Sequence, residues 1–100
     1  MASWDKVTAV YMLANRRNGT LYVGVTSDLV RRVGEHRDGH IPGFTKRYGC
    51  KHLVWYEVHD LVSQAIYREK SIKSYRRRNK INLIEAQNPD WLDLWLELVR

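Results

Sequence analysis

The sequence predicts a small α/β layer protein with a sheet of at least three strands, the first pair antiparallel. Three observations lead there. Strand-like and helix-like periodic segments follow one another in the order ββαβααα. An Asn18-Gly19 pair separates two runs rich in β-branched and aromatic residues, which is a strong hairpin signal. The chain has 100 residues, 44% of them hydrophobic and 28% charged, which suits one domain over residues 1–100 with a modest core.

Each element has its own local reason. Val7 to Ala14 is apolar on both faces and reads as a buried central strand. Thr20 to Val25 resumes a strand after the turn, so 7–25 is a hairpin. Ser27 or Asp28 can cap a short helix to about Asp38, where Leu29, Val30 and Val33 fall at helical spacing and Gly39 closes it. Residues 39–51 hold three glycines, a proline and four basic or histidine side chains, and read as a functional loop with a helical turn around Lys46. His52 to Val58 is a third strand. Asp60 is expected to cap a longer helix to about Arg78, with Leu61, Val62, Ala65, Ile66 and Ile72 as its apolar stripe. A shorter helical segment covers Ile81 to Glu85. Asn88-Pro89 reads as a helix start, with Trp91, Leu92, Trp95, Leu96 and Val99 on one face of a final helix.

Charge narrows the function. The net charge is +6 and the pI about 9.7, which suits a polyanionic partner. Residues 66–80 concentrate it: Arg68, Lys70, Lys73, Arg76, Arg77, Arg78 and Lys80 surround Glu69, with Tyr67 and Tyr75 interleaved. Such a run is either a phosphate-binding face or a solvated helix surface. No apolar run is long enough to span a bilayer, and Met1–Asp5 lacks the basic and hydrophobic regions of a secretion signal. Cys50 is the only cysteine, which fits a reducing cytoplasm and excludes a Cys-rich zinc site. The four histidines lack zinc-like spacing, and phosphate-loop, dinucleotide and serine-hydrolase motifs are absent.

A few residues are placed where chemistry could use them. Arg32 and His36 stand one turn apart on the first helix, with Asp28 a turn earlier to pair with Arg32. Glu69 falls on the apolar stripe between Ala65 and Ile72. A carboxylate there needs a metal or a cationic partner unless it reaches solvent at the stripe edge, where Lys73 is its i+4 neighbour. Tyr11 and Tyr22 lie on the two paired strands. They share a face in one hairpin register and lie on opposite faces after a one-residue slip. Gly24, inside a strand, marks close approach by another group.

Together these residues resemble the GIY-YIG nuclease superfamily, which includes the excinuclease C N-terminal domain and homing-endonuclease catalytic domains. Ala9-Val10-Tyr11 and Tyr22-Val23-Gly24 stand for the two naming motifs, with Ala9 in place of the usual glycine. Thr26-x-Asp28-Leu29-x-x-Arg32-x-x-x-His36 looks like the helix carrying the family's arginine and histidine, and Glu69 like its metal-binding glutamate. The tail from Leu83 to Trp95 is similar to that of small, stand-alone bacterial members.

The resemblance implies a three-stranded, mainly antiparallel sheet flanked by helices. It also implies an endonuclease dependent on Mg²⁺, with Mn²⁺ able to substitute, that acts on nucleic acid by in-line hydrolysis. DNA is favoured over RNA, and a single strand is a plausible substrate. Tyr11, Tyr22, Arg32, His36 and Glu69 would be catalytic, with Glu69 holding the metal. Gly24, Lys46, Arg47, Lys70, Lys73, Arg76, Arg77, Arg78 and Asn88 would contact nucleic acid. Either Asn82 or Asn88 answers to the family's late asparagine, Asn88 being preferred. Specificity would come from the 39–51 loop or from a protein partner. The competing functions are a nucleic-acid-binding module without catalysis and a protein-interaction domain using the Trp-rich tail.

Overall fold

Strand β1, Ala9–Ala14, is buried at all six positions because it is the middle strand of the sheet and is covered on both faces. In this computed structural model residues 6–99 are described. The Met1–Asp5 stretch, read above as lacking a secretion signal, and Arg100 lie outside them. β1 pairs antiparallel with β2, Leu21–Thr26, and with β3, His52–Val58, giving the order β2-β1-β3 and the expected three-stranded antiparallel sheet. The Asn18-Gly19 turn joins β1 to β2. Asn18 takes the left-handed conformation at φ 57°, and the Asn15 side chain accepts from the Thr20 N–H.

Alternation along the strands divides the core in two. Val10, Met12, Ala14 and Val23 face α3, Val62–Lys73, and α4, Arg77–Gln87, which contribute Ala65, Ile72, Ile81 and Ile84. Ala9, Tyr11 and Leu13 face α1, Leu29–Arg37, and α5, Trp95–Val99, which contribute Leu29, Val33 and Leu98. A β-bulge shifts the β1–β3 register between Met12 and Leu13 and puts the adjacent Val54 and Trp55 into the same core cluster. The short α2, Phe44–Tyr48, sits between α1 and β3 as the helical turn expected around Lys46.

The second half of the chain departs from its periodicity. α3 begins at Val62 after Leu61, so Asp60 is not its cap. Only Ala65, Glu69 and Ile72 of α3 are buried, whereas Leu61, Val62 and Ile66 stay exposed. The expected helix to Arg78 breaks at Ser74, whose hydroxyl donates to the Ser71 carbonyl and competes with the helical ladder. Arg76 is extended, and α4 restarts at Arg77 and absorbs the segment expected at Ile81–Glu85.

The expected helix start at Asn88-Pro89 is instead a helix end. Asn88 is the C-cap of α4, and its amide bonds the Leu92 N–H at 3.0 Å, the Leu92 carbonyl at 2.8 Å and the Val54 carbonyl at 3.1 Å. Those bonds fold 88–92 into a turn in which Trp91 adopts φ 55° and donates its indole N–H to Glu85. α5 therefore starts only at Trp95. Leu94 and Leu98 fill the core, while Leu92, Leu96 and Val99 are exposed.

Candidate active site

The β1–β2 register resolves which face the two tyrosines occupy. Tyr11 pairs with Gly24 and Tyr22 with Leu13, so both rings emerge on the α1 side of the sheet, their centroids 6.3 Å apart. Gly24 is buried, and a Cβ on it would come within 2.5 Å of the Tyr11 hydroxyl and 2.9 Å of the Tyr22 ring. The close approach marked by this glycine is that of the tyrosines. Its expected contact with nucleic acid is corrected accordingly, since the space above it is filled.

Helix α1 supplies the partners. Asp28 caps it by accepting from the Arg31 N–H, so Asp28 does not pair with Arg32 as expected. Arg32 instead lies 3.4 Å from Glu35, which also pairs with Arg31 at 3.3 Å. His36, one turn beyond Arg32, is buried with both ring nitrogens engaged: Nε2 lies 2.9 Å from the Tyr11 hydroxyl and Nδ1 2.9 Å from Thr45 Oγ1. With the ring proton on Nδ1, donated to Thr45, Nε2 is the acceptor for Tyr11. With it on Nε2 both directions reverse.

Electrostatics follow from this packing. Burial and then the positive charge of Arg32 push the His36 pKa down to about 4, so the ring is neutral at pH 7. Burial, reinforced by Tyr22, raises the Tyr11 phenol well above its ordinary value even though Arg32 favours its ionisation. At neutral pH Tyr11 therefore keeps its proton. The Arg32 guanidinium is half-exposed at a cleft of about 390 Å³ between the end of β2 and the start of α1, lined also by Thr26, Ser27, Asp28, Arg31 and Glu35.

Glu69 comes from a different helix, α3. It is 9% exposed on the buried stripe of α3, and Lys73 Nζ lies 2.7 Å from its carboxylate. Both sequence alternatives are met at once, a buried carboxylate and an i+4 ion pair. It makes no hydrogen bond or ion pair with Tyr11, Tyr22, Arg32 or His36. Among the described residues no group of three His, Cys, Asp or Glu side chains could hold a metal ion.

The basic residues divide. Lys70, Arg76 and Arg78 are exposed and have no carboxylate partner among the described residues, whereas Lys73 is paired with Glu69. The Arg77 guanidinium donates to the Asn18 carbonyl at 2.7 Å and the Gly19 carbonyl at 2.6 Å, clamping the hairpin turn. Arg77 thus has a structural contact through one guanidinium nitrogen, while the residue stays exposed. Asn88 is corrected from a nucleic-acid contact to a structural one, because it is 4% exposed and its amide is consumed by backbone groups. Lys46 and Arg47 are exposed on α2.

Sequence reasoning missed Thr45 and Glu35. Glu35 had a local signal, lying four residues after Arg31 and three after Arg32. Thr45 had none, because its contact with His36 depends on how the 39–51 segment folds back.

Comparison with known proteins gives the family and the fold. Residues 8–82 match the family described as the GIY-YIG catalytic domain. UPF0213 proteins of Staphylococcus aureus strains Mu3 and N315 are each 38% identical over 70 residues, covering 70% of this chain and 85% of the relative. The solution NMR structure of the UPF0213 protein BH0048 from Bacillus halodurans superimposes with a TM-score of 0.55 at 26% identity, covering 87% of this chain and 92% of that one.

Proposed function

Because the chain belongs to the GIY-YIG catalytic-domain family, we propose that it is a divalent-metal-dependent endonuclease that hydrolyses phosphodiester bonds in nucleic acid, DNA in preference to RNA. The observation that carries this reading is the Tyr11–His36–Thr45 hydrogen-bond chain with Arg32 beside it at an open polar cleft. A packing tyrosine needs no buried histidine acceptor, and a surface arginine needs no place next to a phenol.

The chemistry of the donor set fits a hard cation. A single carboxylate, Glu69, suits Mg²⁺, which is usually held by one or two carboxylates with water and substrate phosphate oxygens completing its shell. Bound there, the metal would supply Lewis-acid stabilisation of the phosphate. Lys73 must swing away from Glu69 for this, and its exposed side chain can do so.

The chain's own residues divide the remaining work. Arg32 donates to the non-bridging phosphate oxygens as charge accumulates on them. Tyr11 keeps its proton at neutral pH, so it activates water as a relay. Its oxygen takes a proton from the attacking water as its own passes to His36 Nε2, the neutral acceptor 2.9 Å away. In the tautomer this requires, Thr45 Oγ1 accepts the Nδ1 proton and orients the ring. Tyr22 walls the same space.

The test is cleavage of labelled single-stranded, duplex, flap and junction DNAs and RNA with Mg²⁺ or Mn²⁺, using the wild type and Glu69→Gln. Loss of metal-dependent cleavage by about 10²-fold or more in Glu69→Gln, with nucleic-acid affinity retained, is expected. Binding without cleavage by the wild type under all conditions would leave a binding module.

A further inference from the structure

Helix α2 carries exposed aromatic rings that neither the core nor the hydrolytic reading uses, beside Lys46 and Arg47, the cations expected to contact nucleic acid. Phe44 and Tyr48, one turn apart, are 47% and 44% exposed, unusual for rings in so small a helix. Their centroids lie 4.7 Å apart. Phe44 also stacks on Tyr22 at 6.2 Å, with 30° between the ring planes, and Tyr22 in turn contacts His36. The Arg47 guanidinium sits 5.5 Å from the Tyr48 ring centre. Together with Pro42, Gly43 and Lys46 these groups line a cleft of about 540 Å³, within the roughly 300–1,000 Å³ of small-molecule sites.

The opposite side of the same helix is fixed to the catalytic group. Thr45, between Phe44 and Lys46, is buried and bonded to His36. Gly43 at φ 107° and Gly49 at φ 66° bracket the helix, with no atom within 4 Å of a Cβ at either position, so backbone conformation and not space requires them. The rings are therefore held at a set distance from His36 and Tyr11 rather than on a loose loop. The helix contains two basic residues and no acid.

We propose that Phe44, Tyr48 and Arg47 form a nucleobase-stacking subsite that takes an unpaired base of the strand whose phosphate lies at Arg32. This deepens the hydrolytic reading and rests on it for the position of the phosphate. Aromatic faces accept any base, and Arg47 and Lys46 complement the flanking phosphates. A base paired within a duplex offers no free face to these rings, so the subsite favours unpaired strands.

Equilibrium binding in EDTA, where no cleavage occurs, tests the subsite independently of catalysis. The probes are short labelled deoxyribose and ribose oligomers, each with bases and in an abasic version of equal length, and a duplex. The wild type should bind the base-bearing strand about 5- to 100-fold more tightly than the abasic one in the deoxyribose or the ribose series. Phe44→Ala/Tyr48→Ala should lose that preference with duplex affinity changed less than about twofold, and Tyr48→Trp should keep it. No preference in either series, or the same preference in the double variant, overturns the subsite. Failure to cleave any substrate, with the preference intact, overturns the hydrolytic reading alone.

Discussion

Gly24 and Tyr11 face each other across the β1–β2 ladder, and the Tyr11 ring occupies the volume that any side chain at position 24 would need. Gly24→Ala therefore displaces a buried ring bonded to His36. We expect destabilisation by about 1–3 kcal/mol in urea unfolding, the usual scale for overpacking. Nuclease activity should fall beyond what the unfolded fraction accounts for, because the Tyr11 hydroxyl moves off His36. Full activity in a folded Gly24→Ala protein would show that this alignment is immaterial.

Arg31 and Arg32 share one carboxylate partner, Glu35, but only Arg32 lies beside the Tyr11 hydroxyl. Arg32→Ala should slow cleavage by ~10²-fold or more, the scale for removing one preorganised donor. Lysine should rescue it poorly because it lacks the planar fork. Arg31, with its side chain 75% exposed, should cost only a few-fold on substitution by alanine. Equal losses in the two alanine variants would sink the proposed geometry.

His36 makes stability depend on pH in a defined direction. Its folded pKa is depressed to about 4, against 6.5 for the ordinary side chain, by burial and by Arg32, with Glu35 opposing. Tyr11 and Thr45 face it as hydrogen-bond partners and Tyr22 as a ring contact. Between pH 6.5 and 4 the unfolded chain binds a proton that the folded chain refuses. Stability is therefore full above 6.5 and falls as pH drops towards 4, by on the order of 2–3 kcal/mol. His36→Gln should be less stable at pH 7 and show a flatter profile. An identical fall in that variant would assign the effect to other groups.

The exposed cations should read out as counterion release. Lys70→Ala/Arg76→Ala/Arg78→Ala should flatten the slope of log affinity against log salt by roughly 2 if these residues touch phosphates. Arg77→Ala should instead lower stability by about 1 kcal/mol through the lost hairpin clamp. An unchanged slope in the triple variant would return the cluster to a solvated surface.

What the sequence by itself determined is the part governed by short-range rules. β1 is apolar at every position and so had to be central, Asn18-Gly19 had to turn, and the 3.6-residue period put Arg32 and His36 on one face of α1. Glu69 was legible for the same reason, falling on the stripe between Ala65 and Ile72. Tertiary structure decided the rest. The face shared by Tyr11 and Tyr22 depends on strand register, and the pairing of His36 with Thr45 depends on how α2 folds back between its two glycines. The roles of Arg77 and Asn88 were illegible because their partners are backbone carbonyls: those of the hairpin turn for Arg77, and for Asn88 those of Val54 and Leu92, the first 34 residues away. Side-chain type and spacing carry no information about which distant carbonyl will lack a donor, and only the packed backbone creates that vacancy.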